Sequence, residues 1–267
     1  PDLDRLAPAD VIALPRTAAD HAREAQAHAA GEQMLREGRV AALLLAGGQG
    51  TRLGIDGPKG TFGFSPVTAT SLFAHHAARI RALRHRYGCA LPWYILTSPQ
   101  NDAVTRAFFA EHDWFGLPAQ TVTFFTQGLL PAVDRDTGAI LLEAPDRIVL
   151  SPAGHGGVFP ALARHHIFAH MRDAGVDTIV TYNVDNPLLR LGRPEFLGHH
   201  HEADSQMTTI VVRKERPDER VGIVGMLDGT TVLIEYSDLP QQLAELRNPD
   251  GTLRHWAGSV AAHAIAI

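Results

Sequence analysis

Residues 43–60 read LLLAGGQGTRLGIDGPKG and set six glycines, Gly47, Gly48, Gly50, Gly54, Gly57 and Gly60, directly after a leucine run. Without Cβ atoms, backbone N–H groups in such a turn can converge on one point, which makes an anion cradle. Thr51, Arg52 and Lys59 lie in the same stretch, so a hydroxyl and two cations accompany the amides. Phosphate oxygens are the anion this set suits. A dinucleotide fold would explain Gly48-Gln49-Gly50 followed by Gly54, but its fingerprint wants an acidic residue about 20 positions onward. That region reads TATSLFAHH, with no acid and a helical pattern, which argues against a nicotinamide dehydrogenase. A P-loop needs G-x-x-x-x-G-K-[ST], whereas Lys59 follows Pro58 and precedes Gly60. A turn without a ligand leaves Thr51, Arg52 and Lys59 unexplained.

Other chemistry is thinly represented. Fifteen histidines include His75-His76, His165-His166 and His199-His200-His201. His166 and His170 stand four apart, a spacing that puts two zinc ligands on one helix face. No cysteine, H-E-x-x-H or third ligand at suitable spacing accompanies them, so solvated helix faces explain these residues. Cys89 is the single cysteine. It reads as a small buried apolar residue, excludes an internal disulfide framework, and fits a reducing compartment.

The elements that position the glycine loop follow from periodicity. Residues 17–37 are rich in Ala, Glu and Arg and predict a helix ending near Gly38. RVAALLLA (39–46) is a continuous apolar run, as in a strand buried on both faces. A helix over 70–87 follows, with Leu72, Phe73, Ala77, Ile80 and Leu83 on one face. Then come a strand (92–98), a helix (101–115), a strand (121–128), a helix (156–175) closed by Gly175, and a strand running into a loop (177–188). This alternation argues for an α/β fold, a parallel sheet with helices on both faces. MTTIVVRKE, VGIVGMLDG and TVLIEYSDL are β-rich, with an Asp228-Gly229 turn between the last two. They predict a mixed extension of the sheet that builds a second binding half. Residues 1–38 are expected to be a helical segment packed on a domain of residues 39–267.

With 267 residues, 45% hydrophobic and 20% charged, the composition is that of an ordinary globular protein. A formal net charge of -5 argues against a broad grip on nucleic acid. No apolar run approaches the roughly 20 residues of a membrane span, and no signal peptide is visible. The chain begins at Pro1 and ends inside the apolar run AGSVAAHAIAI, which suggests part of a longer protein. Nothing in the sequence sets an oligomeric state.

The loop LLLAGGQGTRLG…PKG resembles L-x-x-G-G-x-G-T-R-L-G followed by Pro-Lys, the signature of nucleotidyltransferases that make nucleotide sugars. It is most similar to the UDP-N-acetylhexosamine pyrophosphorylases within the UDP-sugar pyrophosphorylase family. FFTQGLLPA (124–132), SPAGHGGVFPAL (151–162), TYNVDNPL (181–188), VVRKERPDERVGIV (211–224) and VLIEYSDLP (232–240) resemble further blocks of that family, in family order. The resemblance covers roughly residues 35–267 and implies a Rossmann-like nucleotidyltransferase fold. It implies that UTP and a sugar 1-phosphate give a UDP-sugar and pyrophosphate, with Mg²⁺ and in the cytoplasm. N-acetylglucosamine 1-phosphate is the leading sugar substrate. Glucose or galactose 1-phosphate is the alternative, and a nucleotide-sugar binding protein without turnover is the reading outside enzymes. The attacking phosphate oxygen is already anionic, so catalysis reduces to positioning and charge neutralisation.

The same resemblance assigns roles. Gly47, Gly48, Gly50 and Thr51 would offer amides to the triphosphate, and Arg52 and Lys59 would hold its β- and γ-oxygens. Pro58 fixes the approach of Lys59. Gln127 carries a carboxamide that can pair with the imide edge of uracil. Gly154 lets backbone approach the base, and His155 is a nucleotide contact. Asp185, ending a buried strand, would hold Mg²⁺, with Asn186 supporting the turn. Gly222, Glu235, Tyr236 and Ser259 would line the sugar site. The family's A-G-N reads Ala257-Gly258-Ser259 here, and His155 replaces a common Asn. Both departures bear on the N-acetyl preference.

Overall fold

The computed structural model describes residues 3–267. Four buried runs form the strands β1 (Val40–Leu45), β2 (Trp93–Thr97), β3 (Val122–Thr126) and β4 (Thr178–Asn183). They are parallel, in spatial order β4-β1-β2-β3. Alternate residues of β1 serve opposite faces. Val40, Ala42 and Leu44 enter one core, and Ala41 and Leu43 the other. Burial on both faces is why these strands read as continuous apolar runs.

The principal helices are α1 (Ala18–Arg36), α2 (Leu72–Tyr87), α3 (Asp102–Glu111), α4 (Val158–Arg164), α5 (Ile167–Asp173) and α6 (Pro194–Glu202). Met34, Leu35, Phe73, Ile80, Phe109 and Leu197 bring α1, α2, α3 and α6 onto one face of the sheet. Val158, Leu162, Ile167 and Met171 bring α4 and α5 onto the other. A capping box between Thr17 and Asp20 starts α1. α1 then lies against α6 at backbone distance. A Cβ on Gly31 would collide with the Pro194 carbonyl, and one on Gly198 with the Ala27 carbonyl.

Two predicted helices are shorter than expected. The helix over 101–115 stops at Glu111, and Asp113, Trp114 and Phe115 take positive φ values of 48°, 51° and 54°. The turn sets Trp114 and Phe115 edge-on to Phe109, so core packing outweighs helical propensity. The helix over 156–175 breaks into α4 and α5 at His166, whose φ is 55°. The break aims the His165 ring at the end of β3, where its Nε2 lies 3.1 Å from the Thr126 carbonyl. His166 and His170 therefore do not share a helical face as two ligands. His166 caps α5, and the His170 ring bonds the Tyr94 hydroxyl at 2.9 Å.

Beyond β4 the sheet continues through β5 (Met207–Arg213), β6 (Ile223–Leu227), β7 (Thr230–Ile234) and β8 (Ala257–Ala266). Every pairing in this extension is antiparallel, so parallel pairing is confined to the four core strands. Asp228 and Gly229, with φ of 52° and 78°, close the β6–β7 hairpin as the two positive-φ residues of a type I′ turn. β8 keeps β5 on one edge throughout. Its other edge pairs first with β6, through Gly258, and later with β4, through His263–Ala266. Ala261, at φ 53°, lies between these stretches. The sheet therefore forks at Ala261, and the fork opens a cleft between β4 and β6.

Candidate active site

The loop after β1 is tied at both ends. Ala46 N–H donates to the Leu96 carbonyl at 2.8 Å. The buried Asn101 donates Nδ2 to the carbonyls of Ala46 (3.0 Å) and Gly48 (3.4 Å). The returning limb is joined by Gly50 N–H to the Gly57 carbonyl (2.8 Å) and Lys59 N–H to the Gly48 carbonyl (3.2 Å). These bonds fold Lys59 back beside Gly48. They also engage the Gly50 amide inside the loop, where a Cβ would collide with Ile55. Among the described residues the amides of Gly47, Gly48, Gln49, Thr51 and Arg52 have no backbone partner, and of these residues Gly47 and Gly48 line the pocket described below.

The C-terminal ends of the parallel strands supply the facing wall, the usual ligand position in an open α/β sheet. Past β3, Gln127 donates its backbone N–H to the Thr97 carbonyl at 2.9 Å. Its buried carboxamide lies where a Cβ on Gly47 would sit, so a larger residue there would push the carboxamide aside. Past β4, Val184 and Asp185 are held by α2. His76 Nε2 donates to the Val184 carbonyl at 2.9 Å, and His75 Nε2 to the Pro187 carbonyl at 2.9 Å. Because a carbonyl only accepts, His76 carries its proton on Nε2. Burial pushes its pKa down to about 4, so the ring stays neutral. Asn186 supports the turn as expected, accepting the Leu189 N–H at 3.2 Å. Asp185 Oδ2 meets Lys59 Nζ at 2.8 Å across the mouth of the loop.

Gly47, Gly48, Lys59, Gln127, Gly154, His155, Asn183 and Asp185 together surround a pocket of about 220 Å³. Gly154, at φ 64° and ψ −155°, turns the chain so that His155 Nε2 reaches Asn183 Oδ1 at 3.0 Å. A second, larger pocket of about 360 Å³ lies in the sheet fork, lined by Gly222, Glu235 and Ser259 among others. Leu45, His155 and Val158 belong to both walls, so the two chambers adjoin there. Gly50, Thr51, Arg52 and Tyr236 lie in neither wall. Arg52 sits on an exposed turn (Thr51–Leu53), and Tyr236 is 48% exposed just past Glu235.

The larger chamber adds residues that the sequence did not single out, notably Met207, Arg220, Leu233 and His263. Burial lowers the His263 pKa, and its Nδ1 has no partner among the described residues, so this ring stays neutral. Asn183 was within reach of sequence reasoning, as a polar residue ending a buried strand. Arg220 was not, because it sits in the charge-dense run KERPDER.

For a metal, the described residues hold no group of three or more His, Cys, Asp or Glu side chains. A lone carboxylate still suits Mg²⁺, which takes one or two carboxylates and fills its octahedron with phosphate oxygens and water. Asp185, 46% exposed and facing the glycine loop, is such a group.

The family described as UTP–glucose-1-phosphate uridylyltransferase matches residues 5–252. The chain belongs to this uridylyltransferase family. UDP-N-acetylhexosamine pyrophosphorylase-like protein 1 of Homo sapiens is 40% identical over 231 residues, 84% of this chain and 45% of that protein. UDP-N-acetylglucosamine pyrophosphorylase of Saccharomyces cerevisiae is 35% identical over 236 residues, 87% of this chain and 50% of that protein. The crystal structure of the uridine diphosphate N-acetylglucosamine pyrophosphorylase from Trypanosoma brucei superposes with a TM-score of 0.86 at 30% identity. That match covers 98% of this chain and 55% of the other. The chain thus spans about half the length of the relatives it matches. Like its solved relative, this uridylyltransferase-family member has the nucleotidyltransferase-type α/β fold. No described helix is long and apolar enough to cross a membrane.

Proposed function

We propose that this chain carries the substrate-binding and phosphate-handling centre of a uridylyltransferase that joins UTP to N-acetylglucosamine 1-phosphate. The observation that carries the reading is the pair of adjoining chambers, with Lys59 and Asp185 facing each other across the glycine loop of the smaller one. The smaller chamber takes the nucleotide. The Gln127 carboxamide accepts from uracil N3–H and donates to a ring carbonyl, and Gly47 leaves room for that edge. The Gly47 and Gly48 amides bind phosphate oxygens. A sugar-phosphate oxygen attacks the α-phosphorus, the new P–O bond forms as the bond to the β-phosphate oxygen breaks, and pyrophosphate leaves. Lys59 moves from Asp185 onto the leaving phosphates and neutralises the charge that builds there. Arg52 reaches the same phosphates only if its turn closes over them. Mg²⁺, held by Asp185, would supply further charge neutralisation on the phosphates.

The larger chamber takes the sugar, with Glu235 accepting from its hydroxyls and Gly222 and Ser259 lining the wall. Leu45, Val158, Phe159, Met207, Val221, Leu233 and Ile265 make most of this wall apolar, which suits an N-acyl group better than a plain hexose. Glucose 1-phosphate is the second reading, favoured by His155 and Ser259, where the commonest N-acetylhexosamine sequence has asparagine. In this reading residues 39–267 are the catalytic unit, 1–38 brace it, and the protein works in the cytosol, where a single cysteine is at home. Pyrophosphate release from UTP with a panel of sugar 1-phosphates, with and without Mg²⁺, tests the proposal. Turnover with N-acetylglucosamine 1-phosphate in Mg²⁺ is expected. Tight UTP binding without turnover on any sugar, using the full-length protein, would point to a nucleotide-sugar binding protein instead.

A further inference from the structure

Arg220 lines the sugar chamber and, among the described residues, is the only lysine or arginine that does so. Among the described residues no hydrogen bond or ion pair engages its guanidinium. Its acidic neighbours in the loop are occupied elsewhere. Glu219 accepts the N–H groups of Glu215 (3.0 Å) and Arg216 (2.8 Å), and Asp218 pairs with Arg216 at 3.2 Å. The loop is anchored to the chamber floor, because Gly222 accepts the Ser259 N–H at 2.8 Å. Next to it, the Glu235 carboxylate and the Leu233 side chain lie 3.4 and 3.5 Å from the Cβ position of Gly222.

The other polar groups of the chamber are poorer donors. His155 Nε2 is bonded to Asn183, and Ser259, whose Oγ accepts the Ala261 N–H at 3.2 Å, keeps a single short, neutral O–H to donate. The neutral His263 ring brings no charge. Arg220 therefore offers donors, and Val221, Leu233 and Met207 offer apolar contact, in one chamber. A donor beside an apolar wall matches the carbonyl and methyl of an N-acyl group. Hydroxyls alone would leave the apolar wall unmatched.

We propose that Arg220 is a specificity-determining residue that donates to the acyl carbonyl of an N-acylhexosamine, whose methyl lies on Val221 and Leu233 while Glu235 accepts from ring hydroxyls. This rests on the larger chamber being the sugar site. The test is titration calorimetry of the full chain with UDP, UDP-glucose and UDP-N-acetylglucosamine, for the natural protein and for Arg220→Ala and Arg220→Lys. The natural protein is expected to bind the N-acetylated nucleotide more tightly than UDP-glucose. Arg220→Ala should lose about tenfold in affinity for it, about 1.4 kcal/mol, with UDP affinity and thermal midpoint unchanged. Arg220→Lys should recover part of the loss, since it keeps the charge but not the fork. An N-acetyl preference that survives in Arg220→Ala, or equal losses for UDP and both UDP-sugars, overturns the proposal. A natural protein that binds none of the three nucleotides overturns the nucleotide-sugar reading beneath it.

Discussion

Acid should destabilise this protein through His76, by an amount the structure sets. The ring is 1% exposed, donates to the Val184 carbonyl, and packs edge-on to Tyr182. Burial is the largest influence on it, His75 and Arg79 add to the lowering, and the Val184 bond and Asp185 oppose it. The result is a pKa of about 4 against the ordinary 6.5. A folded-state value below the unfolded one means that the unfolded chain takes up the proton first. The stabilisation is complete above about pH 6.5 and is lost as the pH falls toward 4. At pH 5 the unfolded imidazole is about 97% protonated and the folded one about 9%, which by linkage costs about 2 kcal/mol relative to pH 7.5. His200, His255 and His263 are shifted the same way by burial, so the whole protein loses more than this. A His76→Gln variant isolates the single group, because glutamine keeps a donor and does not titrate. Urea unfolding at pH 7.5 and pH 5, followed by tryptophan fluorescence, gives both stabilities. The gap between the natural protein and the variant should narrow by about 2 kcal/mol on acidification. Parallel losses in the two proteins would show that His76 titrates normally, and would refute the buried neutral ring.

Lys59→Ala should lower turnover by about 100-fold or more, as removal of a preorganised charge does. Its part-exposed pair with Asp185 adds less than about 1 kcal/mol to stability, so an unchanged melting midpoint with unchanged turnover would remove Lys59 from the mechanism. Gln127→Ala should lower the preference for UTP over CTP about tenfold or more, since a buried carboxamide no longer pairs with the base edge; competition between the two nucleotides reads this directly. Gly31→Ala gains about 1 kcal/mol of helix propensity but drives a methyl into the Pro194 carbonyl. Overpacking of about 1–3 kcal/mol should win, and a higher melting midpoint would show that α1 and α6 separate easily.

The glycine loop, the parallel core strands and the Asp228-Gly229 hairpin were legible in the sequence because each rests on local chemistry. Continuous apolar runs mark strands buried on both faces, and positive φ calls for glycine or aspartate. The same locality made Lys59, Gln127 and Asp185 readable as polar residues at strand ends or in the loop, and the structure brings those three to one pocket. It did not reveal that the Gly50 amide is engaged by Gly57, nor that Arg52 stands outside the pocket, since both depend on how the loop folds back on itself.

Longer-range features were decided by tertiary contacts. The helix over 156–175 has unbroken helical character in sequence, yet it breaks where His165 bonds Thr126, a residue 39 positions away. Arg220 gives no signal among its charged neighbours and becomes a chamber residue only because the sheet forks at Ala261. The sequence alone determined the four parallel core strands and the Asp228-Gly229 turn, because neighbours along the chain set those preferences, whereas residues 257–267 read only as an apolar run and become strand β8 in the structure. Which side chains meet across the two chambers was left to the pairing of β8 with β4, β5 and β6. That pairing joins segments dozens of residues apart, and no local preference encodes it.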